Sequence, residues 1–88
     1  MLIRFDRQFK KQYNRAPSKI RQIIMVKLKL FKADNFSPLL NNHILKGKYS
    51  GTRSINVTGD WRALYVTEGQ FGQDIVFVAL GTHSQLYG

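Results

Sequence analysis

The 88-residue chain contains no cysteine, so neither a disulfide framework nor a thiolate metal site organises it. It has only two histidines, a poor basis for a zinc site of three or four ligands. Neither a metal nor any other cofactor is therefore expected. Acidic residues are scarce: five Asp and Glu stand against fourteen Lys and Arg, a net charge of +9. That exceeds the ~2–8 charges that solubility asks of a small domain. The excess points to a polyanionic partner, either nucleic acid or an acidic protein. No apolar run approaches the ~20 residues of a membrane span. The N-terminus, MLIRFDRQFKKQ, is charged by its fourth residue and lacks the apolar stretch of a secretory signal. The expected setting is the cytoplasm, away from membranes.

What is present suffices for one domain over residues 1–88. The chain is 43% apolar and 12% aromatic, which argues against disorder. At this length it buries only ~60–65% of its unfolded surface, so the core is modest. Residues 2–5, LIRF, read as a short strand. Asp6 is placed to cap a helix over 6–15 in which Phe5, Phe9 and Tyr13 form one stripe. Ala16-Pro17 ends it. A second helix opens at Pro17 or Ser18, with an apolar face of Ile20, Ile23, Ile24, Leu28 and Phe31 that only Lys27 interrupts. Lys27, Lys29 and Lys32 suit its negative C-terminal end. These helices read as scaffold, and their basic residues as a solvated face.

Residues 33–42 read as a loop from which Leu39 and Leu40 dock on the core. From residue 43 the period falls to two. In RSINVT, 53–58, Ile55 and Val57 take one face and Ser54, Asn56 and Thr58 the other. Gly59-Asp60 is a turn signal. WRALYVT, 61–67, is the next strand, and Glu68 to Gly72 the next turn. DIVFVALGT, 74–82, is apolar almost throughout and reads as a central strand. The expected fold class is α+β, in the order β-α-α-β-β-β. The sheet is mostly antiparallel, with two N-terminal helices on one face and the other face partly open. The polar tail, GTHSQLYG, offers little to bury and is expected to continue the last strand.

Candidate chemistry gathers in the second half: His43, Lys46, Lys48, Arg53, Asn56, Asp60, Trp61, Arg62, His83 and Tyr87. Each has an ordinary structural reading. His43 suits a surface loop, Asp60 a turn, Trp61 a core or rim position, Arg62 a sheet edge, and Tyr87 a pin for the tail. HILKGKYSG, 43–51, is not a phosphate loop opening a helix. Together, however, these groups suit RNA cleavage, in which the 2′-hydroxyl attacks the neighbouring phosphorus. That reaction needs a base, an acid and positive charge on the phosphoryl oxygens. Histidine, aspartate, arginine and lysine supply them. Trp61, Tyr87, Tyr49 and Phe71 are candidates to stack on an unpaired base.

Over LKGKYSGTRSINVTGDWRALY and LGTHSQLYG the chain resembles the RelE/ParE superfamily of bacterial toxins, and within it the YafQ type. HILKG, the Gly-Asp-Trp-Arg turn and the terminal Gly-Thr-His…Leu-Tyr-Gly carry the resemblance. It implies a microbial RNase fold with a curved sheet, and a toxin of a type II toxin–antitoxin system that cuts mRNA on the ribosome. It further implies an acidic antitoxin, encoded nearby, through which the complex binds operator DNA. By motif, His83 would be the main acid or base and Tyr87 would stack on or orient substrate. Asp60 would transfer a proton, His43 would assist, and Arg62 would face the scissile phosphate. Lys46, Lys48 and Arg53 would hold RNA. Asn56 stands where the YafQ type has another histidine, and asparagine carries no proton at neutral pH. Two rivals stand beside this reading: a ParE-like toxin that poisons DNA gyrase without cutting RNA, and a decayed nucleic-acid-binding module.

Overall fold

A computed structural model describes residues 1–88. The chain runs β1 (Ile3–Phe5), α1 (Arg7–Arg15), α2 (Ser18–Ala33), β2 (His43–Ile44), β3 (Arg53–Asn56), β4 (Trp61–Glu68), β5 (Asp74–Thr82) and α3 (His83–Tyr87). The five strands form one mixed sheet in the order β1-β5-β4-β3-β2. β1 lies parallel to β5, and every other pairing is antiparallel.

Local chemistry accounts for the first half. The Asp6 carboxylate accepts from the Phe9 N–H at 2.8 Å and starts α1. Ala16-Pro17 ends it, and the Arg21 side chain returns to donate to the Ala16 carbonyl. The aromatic stripe forms as the spacing predicts, Phe5 stacking on Phe9 at 5.1 Å and Phe9 on Tyr13 at 6.5 Å. From α2, Ile24 and Phe31 reach the centre of the core. Phe31 meets Tyr65 at 5.1 Å and Phe77 at 5.4 Å, both edge to face.

Residues 33–42 are not all irregular, since Pro38–Leu40 forms a 3-10 turn. Only one of the two leucines docks there. Leu40 is fully buried and Leu39 is exposed, because side chains on a turn of three residues per revolution diverge by about 120°. β2 is an additional edge strand that composition alone did not mark. β3 ends at Asn56 rather than residue 58, where the chain already bends toward the Gly59-Asp60 turn.

A bulge in β5 sets the two faces. Leu64 pairs with Ala79 and Tyr65 with Phe77, which leaves Val78 without a partner. The extra residue resets the alternation. Ile75, Phe77 and Leu80 face the helices, whereas Ala79 belongs to a second small core with Leu64 and Leu86. The open second face expected from the strand pattern is thus closed at its centre. Ser54, expected on a polar face, is fully buried. The tail does the closing, and it is a helix rather than a strand extension. Thr82 Oγ1 accepts from the Gln85 N–H at 3.1 Å, while Gln85 Oε1 accepts from the Thr82 N–H at 2.9 Å. This reciprocal capping box turns the chain so that Leu86 drops onto Leu64 and Ala79, flanked by Leu45 and Tyr49. Gly81 permits the close approach, because a Cβ there would stand 3.1 Å from Gln85 Oε1 and 3.3 Å from Leu86 Cγ.

Candidate functional site

The tail helix, the β3–β4 turn and the loop after β2 meet at one end of the sheet. Thr58 Oγ1 shapes the turn by accepting from the Asp60 and Trp61 N–H groups at 3.3 and 3.0 Å. The Asp60 carbonyl then accepts from the His83 N–H at 3.0 Å. Both side chains are exposed, so the backbone fixes them side by side and leaves imidazole and carboxylate free.

His83 and Tyr87 lie one helical turn apart on the same stripe of α3, with ring centroids 4.8 Å apart. Tyr87 in turn meets Tyr49 edge to face at 5.6 Å. Lys48 Nζ sits 5.5 Å from the Tyr49 ring. A row therefore runs from a cation through two phenol rings to an imidazole. The row depends on the loop 45–52, which its own bonds hold: Leu45 N–H to Thr52 O at 2.9 Å, Ser50 N–H to Gly47 O at 3.0 Å, and Thr52 Oγ1 to Tyr49 O at 2.6 Å. Gly47, at φ 68°, takes the left-handed turn this requires. Lys46 is exposed at the start of the same loop.

Arg62 is half-buried and sits opposite Asn56 on one side and Gly81 on the other. Its Nη1 donates to the carbonyls of Thr58 at 2.9 Å and Trp61 at 3.2 Å. Asn56 Oδ1 is buried and accepts from nothing.

The other sequence candidates lie apart. Arg53 pairs with Tyr65 in register and so projects on the helix side of the sheet. There its Nε donates to Asn42 Oδ1 at 2.8 Å and its guanidinium covers the Phe36 ring at 5.2 Å. Trp61 packs against the main core on that same side, beside Gln12, Arg15 and Leu80. Phe71 is 85% exposed in the β4–β5 turn. His43, on edge strand β2, stands three strand spacings from β5, about 14 Å across the sheet. Its Nδ1 lies 2.9 Å from the Asn41 carbonyl. No group of three or more His, Cys, Asp or Glu side chains is placed to hold a metal ion. No helix is long and apolar enough to cross a membrane.

Sequence reasoning passed over Leu86, Gln85 and Thr82 as site-builders, although Thr-x-x-Gln is a readable helix-start signal. The cationic surface is mostly unneutralised. Arg4–Glu68, at 3.0 Å, is the only ion pair, and the hydrogen bonds and charge of Glu68 raise the Arg4 guanidinium above its ordinary pKa.

Comparison with known proteins settles the family. The profile of a bacterial toxin of type II toxin–antitoxin systems, YafQ, matches residues 1–88. The chain belongs to the YafQ toxin family. Solved structures of bacterial toxins share the fold. A YoeB/ParE toxin from Agrobacterium tumefaciens superposes with a TM-score of 0.74 at 22% identity, covering 94% of this chain and 99% of that one. YafQ from E. coli strain BL21(DE3) gives 0.69 at 22% identity, over 98% and 97% of the two chains. YafQ in the E. coli DinJ–YafQ complex gives 0.66 at 23% identity, again over 98% and 97%. None of the curated proteins matches the sequence. The α+β architecture expected from the sequence is therefore that of the YafQ toxins, with a C-terminal helix and a fifth strand added to the expectation.

Proposed function

We propose that this YafQ-family toxin is an endoribonuclease that cuts mRNA on the translating ribosome, by acid–base catalysis that requires no metal ion. The observation that carries the proposal is the convergence of His83, Asp60, Tyr87 and Arg62 at one end of the sheet, beside Lys46 and Lys48. His83 and Asp60 form the pair that exchanges protons with the RNA. One takes the proton of the 2′-hydroxyl as its oxygen attacks phosphorus. The other protonates the 5′-oxygen as the P–O5′ bond breaks. The products are a 2′,3′-cyclic phosphate and a 5′-hydroxyl. Arg62 supplies charge to the phosphoryl oxygens, where charge builds in the transition state. Tyr87 offers a face to an unpaired base, worth ~1–3 kcal/mol, and Tyr49 braces it. Lys46 and Lys48 hold the backbone of mRNA or ribosomal RNA. His43, set off to the side, contacts flanking RNA rather than the reacting phosphate. Arg53 and Trp61 act in the scaffold.

The partner that restrains the toxin is an acidic antitoxin that covers the same basic surface, as E. coli YafQ is found in complex with DinJ. The test is to map mRNA 5′ ends by primer extension in a cell-free translation reaction, with and without ribosomes. New ends at codon boundaries, only when ribosomes translate, support the proposal. Intact message, with DNA breaks in cells expressing the protein, points instead to a gyrase poison.

A further inference from the structure

Arg62 and Asn56 face each other across β3 and β4, a placement that puts directly opposed Cβ atoms about 5 Å apart. Yet they do not bond. Arg62 Nη1 is spent on the Thr58 and Trp61 carbonyls, and no bond is made by Nε or Nη2. Asn56 Oδ1 is buried without a donor. An unpaired buried acceptor is unfavourable, and such atoms are rare enough in native proteins that each calls for a cause, a catalytic role among them. On the other flank of Arg62 stands Gly81, which offers no side chain at all. Asn56 is therefore the only side chain directly beside Arg62 in the sheet that could hold its guanidinium away from the turn.

We infer that Asn56 is a positioning residue for Arg62: when a phosphodiester occupies the site, the guanidinium leaves the two carbonyls and donates to Asn56 Oδ1, presenting its remaining N–H groups to the phosphoryl oxygens. The exchange is favourable because a charge-assisted bond to phosphate replaces bonds to neutral carbonyls, and because Asn56 Oδ1 gains its missing donor. Asparagine serves this purpose without titrating, so the position of Arg62 does not depend on pH through Asn56. This inference rests on the reading of the site as an RNA-cleaving centre and deepens it.

The test follows the Arg62 Nε–H resonance in ¹⁵N-arginine-labelled protein titrated with a 2′-O-methyl oligoribonucleotide, a probe that binds but lacks the attacking hydroxyl. In the wild type the resonance is expected to move and to become protected from exchange. In Asn56→Ala the probe still binds, but that protection is lost. Cleavage falls about tenfold or more in Asn56→Ala, since misplaced catalytic groups lose rate steeply, and Asn56→Ala adds no further loss in an Arg62→Ala background. Thermal stability of Asn56→Ala is unchanged or higher, the opposite of what a structural asparagine would give. Identical Arg62 behaviour in both proteins, or additive losses in the double variant, overturns the inference. So does a probe that moves the Lys48 and His83 resonances while Arg62 stays still, and that result leaves the RNA-site reading standing. A probe that moves nothing also overturns the inference, and leaves the RNA-site reading to the primer-extension test on translating ribosomes.

Discussion

The backbone N–H of His83 donates to the carbonyl oxygen of Asp60 at 3.0 Å. This bond joins the start of the tail helix to the β3–β4 turn and sets the two candidate proton carriers beside each other. Neither side chain takes part in it. Asp60→Ala and His83→Ala should therefore keep the fold, with melting temperatures within about 4 °C of the wild type. Circular dichroism on heating checks this. A large drop in either variant would mean that the side chains hold structure.

Leu86 is the anchor of the tail. It is 3% exposed and packs on Leu64 and Ala79. Leu86→Ala should cost about 2–4 kcal/mol, lowering the melting temperature by roughly 10 °C or more. It should also weaken toxicity, because His83 and Tyr87 ride on the same helix. A variant that melts early yet kills as well as the wild type would detach the tail helix from function.

Tyr87 makes its contacts through the ring, and its hydroxyl makes no hydrogen bond. Its contacts are the His83 ring at 4.8 Å and the Tyr49 ring at 5.6 Å. Tyr87→Phe should retain cleavage within about twofold, whereas Tyr87→Ala loses stacking worth ~1–3 kcal/mol, about tenfold or more in rate. Equal loss in both would assign a role to the hydroxyl.

The basic residues divide by face. Lys48 lies in the row that ends at His83, whereas Arg53 is bound to Asn42 and Phe36 on the far side of the sheet. Lys48→Ala should flatten the salt dependence of RNA or ribosome binding by about one unit of log–log slope. Arg53→Ala should leave that slope unchanged and lower stability by about 1 kcal/mol. Binding measured from low to high salt separates them.

Ser54 tests the closed face from within. Its hydroxyl is buried with no partner. Ser54→Ala should be neutral, or stabilising by up to about 1 kcal/mol, in denaturant unfolding. A loss above that size would reveal a bond the hydroxyl makes.

These particulars also show what the sequence could and could not disclose. Phe5, Phe9 and Tyr13 announce α1 because the helical period is a local property, and Asp6 announces its start because capping is local too. His83, Tyr87, Asp60 and Arg62 were legible as candidates through the motifs they share with YafQ toxins. The unpaired Val78 was not legible. A bulge is set by the partner strand, and within an apolar run such as DIVFVALGT the alternation leaves no mark. The burial of Ser54 was not legible either, because the tail helix that covers its face of the sheet does not show in the alternation of RSINVT. Arg53 is named as a ligand for RNA through the resemblance alone, although alternation with Ile55 and Val57 already places it on the helix side of the sheet. The tail reads as a strand extension because its one apolar anchor, Leu86, is isolated among polar residues. The Thr82–Gln85 capping box was the overlooked signal.

The most direct test of the account compares wild-type and His83→Ala proteins in one translating cell-free reaction, mapping mRNA 5′ ends after equal doses. New codon-boundary ends are expected with the wild type and none with His83→Ala at unchanged melting temperature. Cleavage by His83→Ala at the same positions would contradict it.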